Sequence, residues 1–441
     1  MSVPVSIFIL CYNESVLLPH TIKHYRERLP NSKITIYDNE STDGSVNIAK
    51  SLGCNVVSWS SGNINNVLKK QYISNNCWKE VTEGWVITTD MDEWLCITED
   101  DLNHEYTFGT TILKTCGINI IGKSNSADLS DLDLHAITDG VHYPAETKNV
   151  CFLRNKIDEM NYGVGCHCCK PTGESVINSK KTFIIKHMDW LGLPFITRKY
   201  KQRYERSSEM RKLHGYSTHY TDNEEEIHNR YNNFNENIEN MYKILADVTR
   251  EPHFNPNDIY MFYDILNISN HYFEYGSGGS TIQAAKQENI KTIHSVESDP
   301  EWYKNVCNAI ETKKPITLMY RHLNAAPNMW GYPGEGCLIE HAKEYSRSIL
   351  SLSKTESTRL DMILIDGRFR VACCLHCFEM ISDDCLIVFD DFLNRPYYND
   401  VLEFYDIVRK TEDNVMVVLK KKKGIDGPSQ DLLNKYDLIP Q

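Results

Sequence analysis

No run of the sequence approaches the ~20 consecutive apolar residues that a membrane-spanning helix needs. The apolar start, "VPVSIFILC", has no basic segment before it and no small-residue cleavage site after it. It reads as a first core strand, and the protein is expected to be made and kept in the cytosol. Basic residues are also in deficit: 47 Lys and Arg face 60 Asp and Glu, for a net charge of −13. That balance argues against non-specific nucleic-acid binding, which needs a basic surface. The "KKKK" run at Lys420–Lys423 reads as a solvated strand end. The 15 cysteines are odd in number and lack any framework spacing, as suits free thiols in a reducing compartment. One dense cluster, "GCHCCKPTG" around Cys166, His167, Cys168 and Cys169, has no matching second pair of ligands. A thiol-rich loop is therefore favoured there over a zinc site. No repeat of about 20–50 residues is present, which excludes solenoids and propellers.

What is present is a globular composition, 41% hydrophobic and 24% charged, in 441 residues. That length exceeds one ordinary core and points to two domains. Apolar strands at 5–11, 33–38 and 54–59 and the strand "WVITTD" alternate with helical stretches at 14–29, from about Asp43, and at 64–80. This pattern predicts a parallel sheet covered on both faces, whose ligands bind beyond the carboxyl ends of the strands. Residues 110–190 keep strands but lose the alternation, as in a mixed sheet with loops. From about Leu193 to Leu245 the chain is charged and helical, and "TREPHFNPND" (249–258) is the expected boundary. The domains are thus expected at 1–248 and 249–441. The second has its own alternation, with strands in "NHYFEY", "KTIHSVESD", "ITLMYRHL", "LDMILIDG", "CLIVFDDF" and "NVMVVLKK".

In the first alternation every strand ends in polar residues: Asn13 and Glu14, Asp38 and Asn39, then Asp90, Asp92 and Glu93. Clustered carboxylates repel unless a cation or ligand compensates them. An Asp-x-Asp offers a hard cation such as Mg²⁺ or Mn²⁺ two oxygen ligands, and such a cation neutralises a departing diphosphate. Taken alone, the cluster reads equally as a solvated acidic turn. Together, "CYNE", "YDNESTDGS" and "TTDMDEW" resemble the family 2 glycosyltransferases of the GT-A fold, well over about residues 3–100 and more weakly to 220. The resemblance implies that a nucleotide-sugar donor is bordered by Cys11, Tyr12, Asn13 and Glu14, and that Asp38 bonds the base or ribose. Asp90 and Asp92 would hold Mn²⁺ or Mg²⁺, with Asp90 also near the donor. Asp43, just before a helix, suits a cap better than Asp38 does. His187, ending "KTFIIKH", is either a further metal ligand or a structural strand-end histidine. The transfer, inverting by family analogy, needs a base for the hydroxyl of a glycan or glycoconjugate acceptor. Glu93, Asp158, Glu159 and Asp189 are candidates, with Glu159 preferred because a glycine-rich loop follows it.

In the second alternation, "FEYGSGGS" sets Glu274, Gly276, Gly278 and Gly279 between a strand and a helix. Glycines there let the backbone turn tightly and approach a ligand. Glu297 ends the next strand about 20 residues on, where a carboxylate chelates a ribose diol. With "SVESDPEWY" and "LIDGRFRVACCL", the segment 255–420 resembles the class I S-adenosylmethionine-dependent methyltransferases. S-adenosyl-L-methionine is the implied cofactor, held by Glu274, Gly276, Gly278 and Glu297. Asp366, Asp390 and Asp391 end two later strands that this fold makes neighbours. The trio is expected either to bind Mg²⁺, as in cation-dependent O-methyltransferases, or to cap turns and solvate strand ends. Asp366 is further expected to act as base or acceptor contact, with Arg368 and Arg370 at the same edge. The expected architecture is α/β: a GT-A domain, then a class I methyltransferase-like domain. The expected function is sugar transfer and sugar O-methylation on one chain, the alternative being a second domain that only binds.

Overall fold

The computed structural model describes residues 3–325, 331–411 and 415–440. The chain divides into two compact units, Met1–Thr249 and Arg250–Gln441.

The first unit opens with β1 (Val5–Cys11), α1 (Leu18–Arg28), β2 (Lys33–Asp38), α2 (Ser45–Ser51), β3 (Asn55–Ser58), α3 (Val67–Asn76) and β4 (Trp85–Asp90). β1 is the hub. It pairs in parallel with β2 on one side and β4 on the other, while β2 pairs with β3. Ile7, Ile9, Ile36, Val86 and Ile87 are buried, so apolar strand interiors fix this register. Because the strand order reverses at β1, the loops after β1, β2 and β4 open into one crevice. The helix expected over 64–80 is shorter, since the Asn66 side chain caps α3 by accepting the Lys69 N–H at 3.0 Å.

β5 (Glu93–Leu95), α4 (Glu99–Thr107), β6 (Ile112–Ile121), β7 (Asp139–His142), β8 (Cys151–Leu153), β9 (Ile157–Glu159), β10 (Thr172–Gly173) and β11 (Asn178–Trp190) follow. The sheet is mixed, as expected for 110–190: β8 is antiparallel to β4 and β7 to β6, whereas β11 runs parallel to β6. β11 also pairs antiparallel with β5, setting His187 opposite Glu93. Helices α5 (Leu193–Arg206), α6 (Ser208–His214) and α7 (Glu224–Glu236), strand β12 (Glu239–Asn240) and helix α8 (Met241–Thr249) complete the unit. One apolar face of α5 settles on the sheet: Ile196 and Tyr200 pack with Ile121, Trp190 and Ile227. The Trp190 and Tyr200 rings meet edge-on at 5.3 Å. Burying each such side chain contributes roughly 1.5–3 kcal/mol, enough to hold a charged helix in place. The opposite flank of α5 turns toward the crevice.

The second unit contains α9 (Pro256–Ile268), β13 (His271–Tyr275), α10 (Gly279–Lys286), β14 (Thr292–Glu297), α11 (Pro300–Ala309), β15 (Ile316–Tyr320), α12 (Ile339–Ser346) and α13 (Lys354–Ser357). It ends with β16 (Met362–Ile365), α14 (Arg370–Cys377), β17 (Leu386–Phe389), β18 (Tyr405–Lys410), β19 (Val417–Lys421) and α15 (Gln430–Tyr436). Its seven strands run in the order β15-β14-β13-β16-β17-β19-β18. Those from β15 to β17 are parallel, and β19 is antiparallel to both neighbours. The order again reverses at the first strand, so β13 and β16 flank the crevice. β18, "YDIVRK", is an exposed edge strand without clear apolar alternation, which is why the sequence reading passed over it.

Candidate functional site

In the first unit the crevice is a cavity of about 370 Å³. Tyr12, Glu14, Asp90, Asp92, His187 and Asp189 line it, together with Lys70, Lys148, Arg203 and Arg206. β4 ends at Asp90 and the chain turns through Met91 and Asp92 before β5, so the two aspartates part company. The Asp90 carboxylate takes the Lys70 ammonium of α3 at 2.9 Å. Asp92, only 4% exposed, instead joins His187 and Asp189, whose ligand atoms lie within 4.8 Å of one another. Of the expected metal residues Asp90, Asp92 and His187, the last two stand in this group with Asp189, and Asp90 lines the same cavity.

His187 and Asp189 are two apart on β11 and share a face. His187 Nδ1 donates to the Asn119 amide oxygen at 2.7 Å, which turns Nε2 toward Asp189, 3.6 Å away. One imidazole and two carboxylates are a donor set that Mn²⁺ or Mg²⁺ accepts. Both carboxylates already have cationic partners from α5. Lys199 Nζ is 2.9 Å from Asp92, 2.9 Å from Asp189 and 3.0 Å from Glu14. Arg203 bridges Asp92 and Asp189 at 2.5 Å each. Burial by itself raises the Asp92 pKa, yet Lys199, Arg203 and His187 pull it well below the usual carboxylate range. For Glu14 burial outweighs Lys199, and its pKa is pushed up to about 7.

Two expected bases do not stand where a base must. Glu93 is buried; Lys148 binds its Oε1, while its Oε2 accepts from Thr89 at 3.1 Å and from the Asp90 N–H at 3.2 Å. It braces the β4–β5 turn. Glu159 lies on β9 outside the cavity wall, paired with Lys79 at 2.6 Å, and Asp158 beside it is exposed. Of the four carboxylates considered, Glu93 and Asp189 line the cavity, and Asp189 is paired with Lys199 and Arg203.

At the opposite end of the cavity, Tyr12 points its hydroxyl to Asn63 at 3.2 Å, and the Arg206 guanidinium covers its ring at 3.1 Å. Cys11 is a buried wall thiol whose pKa is raised by burial. Asn13, expected at the donor, instead ties loops together: its Oδ1 accepts the Thr42 N–H at 2.7 Å and its N–H meets Ser41 Oγ at 2.8 Å. Its φ of 52° is left-handed, a conformation asparagine tolerates. Asp38 is buried; Oδ2 accepts the Ser41 N–H at 3.0 Å, and Oδ1 has no hydrogen-bond partner. Asp43 accepts the N–H groups of Ser15 at 2.9 Å and Ser45 at 3.0 Å, as a capping and loop-tying residue should. The cysteine loop contributes Gly165 and His167 to the wall; among the described residues it forms no metal-ligating group.

Lys199, Arg203 and Arg206 were missed by the sequence reading. Their spacing was the available signal: i, i+4 and i+7 put three cations on one helix face.

In the second unit Gly276 has φ +96°, and a Cβ there would lie 2.8 Å from the Gly367 nitrogen. The glycine is required because the turns after β13 and β16 touch. Gly278 differs: a Cβ there meets nothing nearer than Trp302 Nε1 at 3.7 Å, so its backbone faces open space. Glu274, expected to bind a cofactor, is fully buried and occupied internally. Tyr272 and Ser280 each donate to Oε2 at 2.7 Å, and Thr281 donates to Oε1. It braces the glycine turn against α10. Glu297 stands at the end of β14, its Oε1 accepting the N–H groups of Ser298 at 2.6 Å and Asp299 at 2.8 Å. Burial pushes its pKa up to about 7.

Asp366, Asp390 and Asp391 do converge, but on an arginine. Arg370 lies 3.1 Å from Asp366, 3.4 Å from Asp390 and 3.3 Å from Asp391, and Asp391 also pairs with Arg395 at 2.6 Å. Burial, then the neighbouring Asp366 carboxylate, drive the Asp390 pKa well above the usual carboxylate range. Arg370, at the start of α14 and four residues after Asp366, is their counterion, and among the described residues these three form no metal-ligating group. Asp366 keeps its place beside the open glycine turn.

Residues 6–96 match the family model "Glycosyl transferase family 2". No curated protein matches the sequence. Among solved structures, a methyltransferase-like protein from Silicibacter pomeroyi is 23% identical, covering 43% of this chain and 97% of its own, with a TM-score of 0.38. S. aureus TarS 1-349, solved in complex with UDP-GlcNAc, is 11% identical over 52% of this chain and 79% of its own, with a TM-score of 0.26. The mannosyltransferase PcManGT from Pyrobaculum calidifontis, solved with GDP-Man and Mn²⁺, is 12% identical over 46% of this chain and 61% of its own, with a TM-score of 0.27. Residues 6–96 are thus similar to glycosyl transferase family 2, and Arg250–Gln441 form a separate α/β unit. Among the described residues no helix is long and apolar enough to cross a membrane.

Proposed function

We propose that the first unit transfers a sugar from a nucleotide-sugar donor to a glycan or glycoconjugate acceptor with the help of a divalent cation. The observation that carries this reading is the meeting of Asp92, His187 and Asp189 at the strand ends that the family match covers or adjoins. Asp92, His187 and Asp189 would hold Mn²⁺ or Mg²⁺, which when bound neutralises charge on the departing diphosphate. The chain's own residues do the remaining work. Tyr12 and Arg206 offer a flat aromatic and guanidinium pair at the base end of the cavity. The unpartnered Asp38 Oδ1 is a buried acceptor suited to a donor from base or ribose. Lys70 and Lys148 hold Asp90 and Glu93 so that the β4–β5 turn keeps its shape. In the transfer the bond from the anomeric carbon to the diphosphate breaks, and one to the acceptor oxygen forms.

The test is thermal stabilisation by a panel of nucleotide sugars with Mn²⁺, because a ligand of the folded state raises its stability. A shift with one donor, lost in Asp92→Asn, supports the reading. No shift with any donor sinks it.

For the second unit we infer S-adenosyl-L-methionine binding at Gly278 and Glu297 and O-methylation of a sugar, without a metal ion. Gly278→Leu in the full chain fills the open space at the glycine turn and is expected to abolish binding of the methyl donor. Absence of binding to the wild type overturns this half and leaves a non-catalytic module. Coupling of the two activities on one chain is reasonable because tethering raises effective concentration. It fails if the methylated acceptor is unrelated to the first unit's product.

A further inference from the structure

α5 lays Lys199, Arg203 and Arg206 along the cavity, and the first two occupy the carboxylates that a divalent cation would use. Lys199, 6% exposed, contacts Glu14, Asp92 and Asp189 within 3.0 Å. Arg203 bridges two of the same three acids. Two cations of the chain itself therefore offset most of the charge on these three acids, in a buried setting where charges act strongly on one another. A dication placed at Asp92, His187 and Asp189 would sit among two fixed cations and be repelled by both. It settles well only if something anionic takes those cations over. A diphosphate does so, since its oxygens bind a dication, an ammonium and a guanidinium together.

We propose that Lys199 and Arg203 are exchangeable counterions. They neutralise Glu14, Asp92 and Asp189 until a nucleoside diphosphate arrives, and then pass to its phosphates while the dication takes the carboxylates. The dication and the nucleotide consequently bind as a pair, each poorly without the other. Arg206, clamped over Tyr12 at the base end, belongs to the same helix face, so the nucleotide engages α5 at both ends. This inference rests on the glycosyltransferase reading and adds the order and coupling of binding.

The experiment is Mn²⁺ binding to the full chain by electron paramagnetic resonance, with and without uridine or guanosine diphosphate, and the reciprocal titration by calorimetry. One nucleotide is expected to tighten Mn²⁺ binding about 5- to 150-fold, and Mn²⁺ to tighten that nucleotide by the same factor. In Lys199→Met, Mn²⁺ alone should bind tighter than in wild type, the nucleotide weaker, and the coupling should fall toward one. Arg203→Gln, at a partly exposed position, should move all three in the same direction by less. Because the wild-type titrations need no variant, a misfolded Lys199→Met leaves the test intact. Mn²⁺ binding that is equally tight with and without a bound nucleotide overturns this proposal and leaves the glycosyltransferase reading standing. Failure of both nucleotides to bind even with Mn²⁺ overturns the reading and the proposal together.

Discussion

Each unit gathers three carboxylates at the carboxyl edge of a sheet, and the two gatherings are neutralised in opposite ways. In the second, Arg370 follows Asp366 by four residues across a non-helical turn and also reaches Asp390 and Asp391. In the first, Lys199 and Arg203 come from a helix more than a hundred residues beyond Asp92. A local arginine is part of the turn it stabilises and has nowhere else to go. Lys199 and Arg203 belong to a separately packed helix, and the His187 imidazole stands beside the same acids. Similar acid counts are thus met by a neighbouring arginine in one unit and by a distant helix in the other.

Removing the local arginine is the severest way to break this contrast. Arg370→Met leaves buried carboxylates without their counterion and should cost about 3–5 kcal/mol, read as a lower urea midpoint of the second unit. An unchanged midpoint would mean that Arg370 is not what holds the trio. Chelation should separate the units next. EDTA is expected to lower nucleotide-sugar turnover by about 10²-fold, by the loss of charge stabilisation at the leaving group, while affinity for S-adenosyl-L-methionine stays the same. Equal sensitivity of both would erase the distinction.

A buried carboxyl whose burial outweighs its neighbouring lysines extends the comparison. Glu105 is fully buried, with Oε2 accepting from Thr110 at 2.6 Å and Oε1 unpartnered, and burial raises its pKa to about 7. Between about pH 4.5 and 7 the folded state therefore binds more protons than the unfolded one, so stability falls as pH rises and stays low above 7. Glu105→Gln should be more stable than wild type at pH 8, by on the order of 2–3 kcal/mol, with little gain near pH 4. A gain independent of pH would contradict the assignment. The smallest effect belongs to Glu159→Gln, which breaks only the exposed pair with Lys79. Stability should change by less than about 1 kcal/mol, and transfer activity should be unchanged.

The strands were legible because their evidence is local. Apolar runs such as "VSIFILC" and "LDMILIDG" declare buried parallel strands, and the acids at their ends must then lie at the carboxyl edge. The motif reading for Asp92 and for His187 followed from that position. Asp90, Asn13, Glu93, Glu159 and Glu274 were harder. Each is a polar residue near the right edge, and whether it faces a ligand or a neighbour depends on one side-chain direction. Glu274 looked like a cofactor carboxylate until three hydroxyls were found on it. β18 escaped because an exposed edge strand has no apolar alternation to announce it.

The sequence by itself determined two α/β alternations and the acids that end their strands. Periodicity and strand ends are properties of neighbouring residues, so they survive without knowledge of the fold. Only the tertiary structure decided which cation each acid keeps. Asp92 meets Lys199 and Arg203 because apolar packing of α5 on the sheet brings them there, and Coulomb attraction acts across space, whatever the distance along the chain.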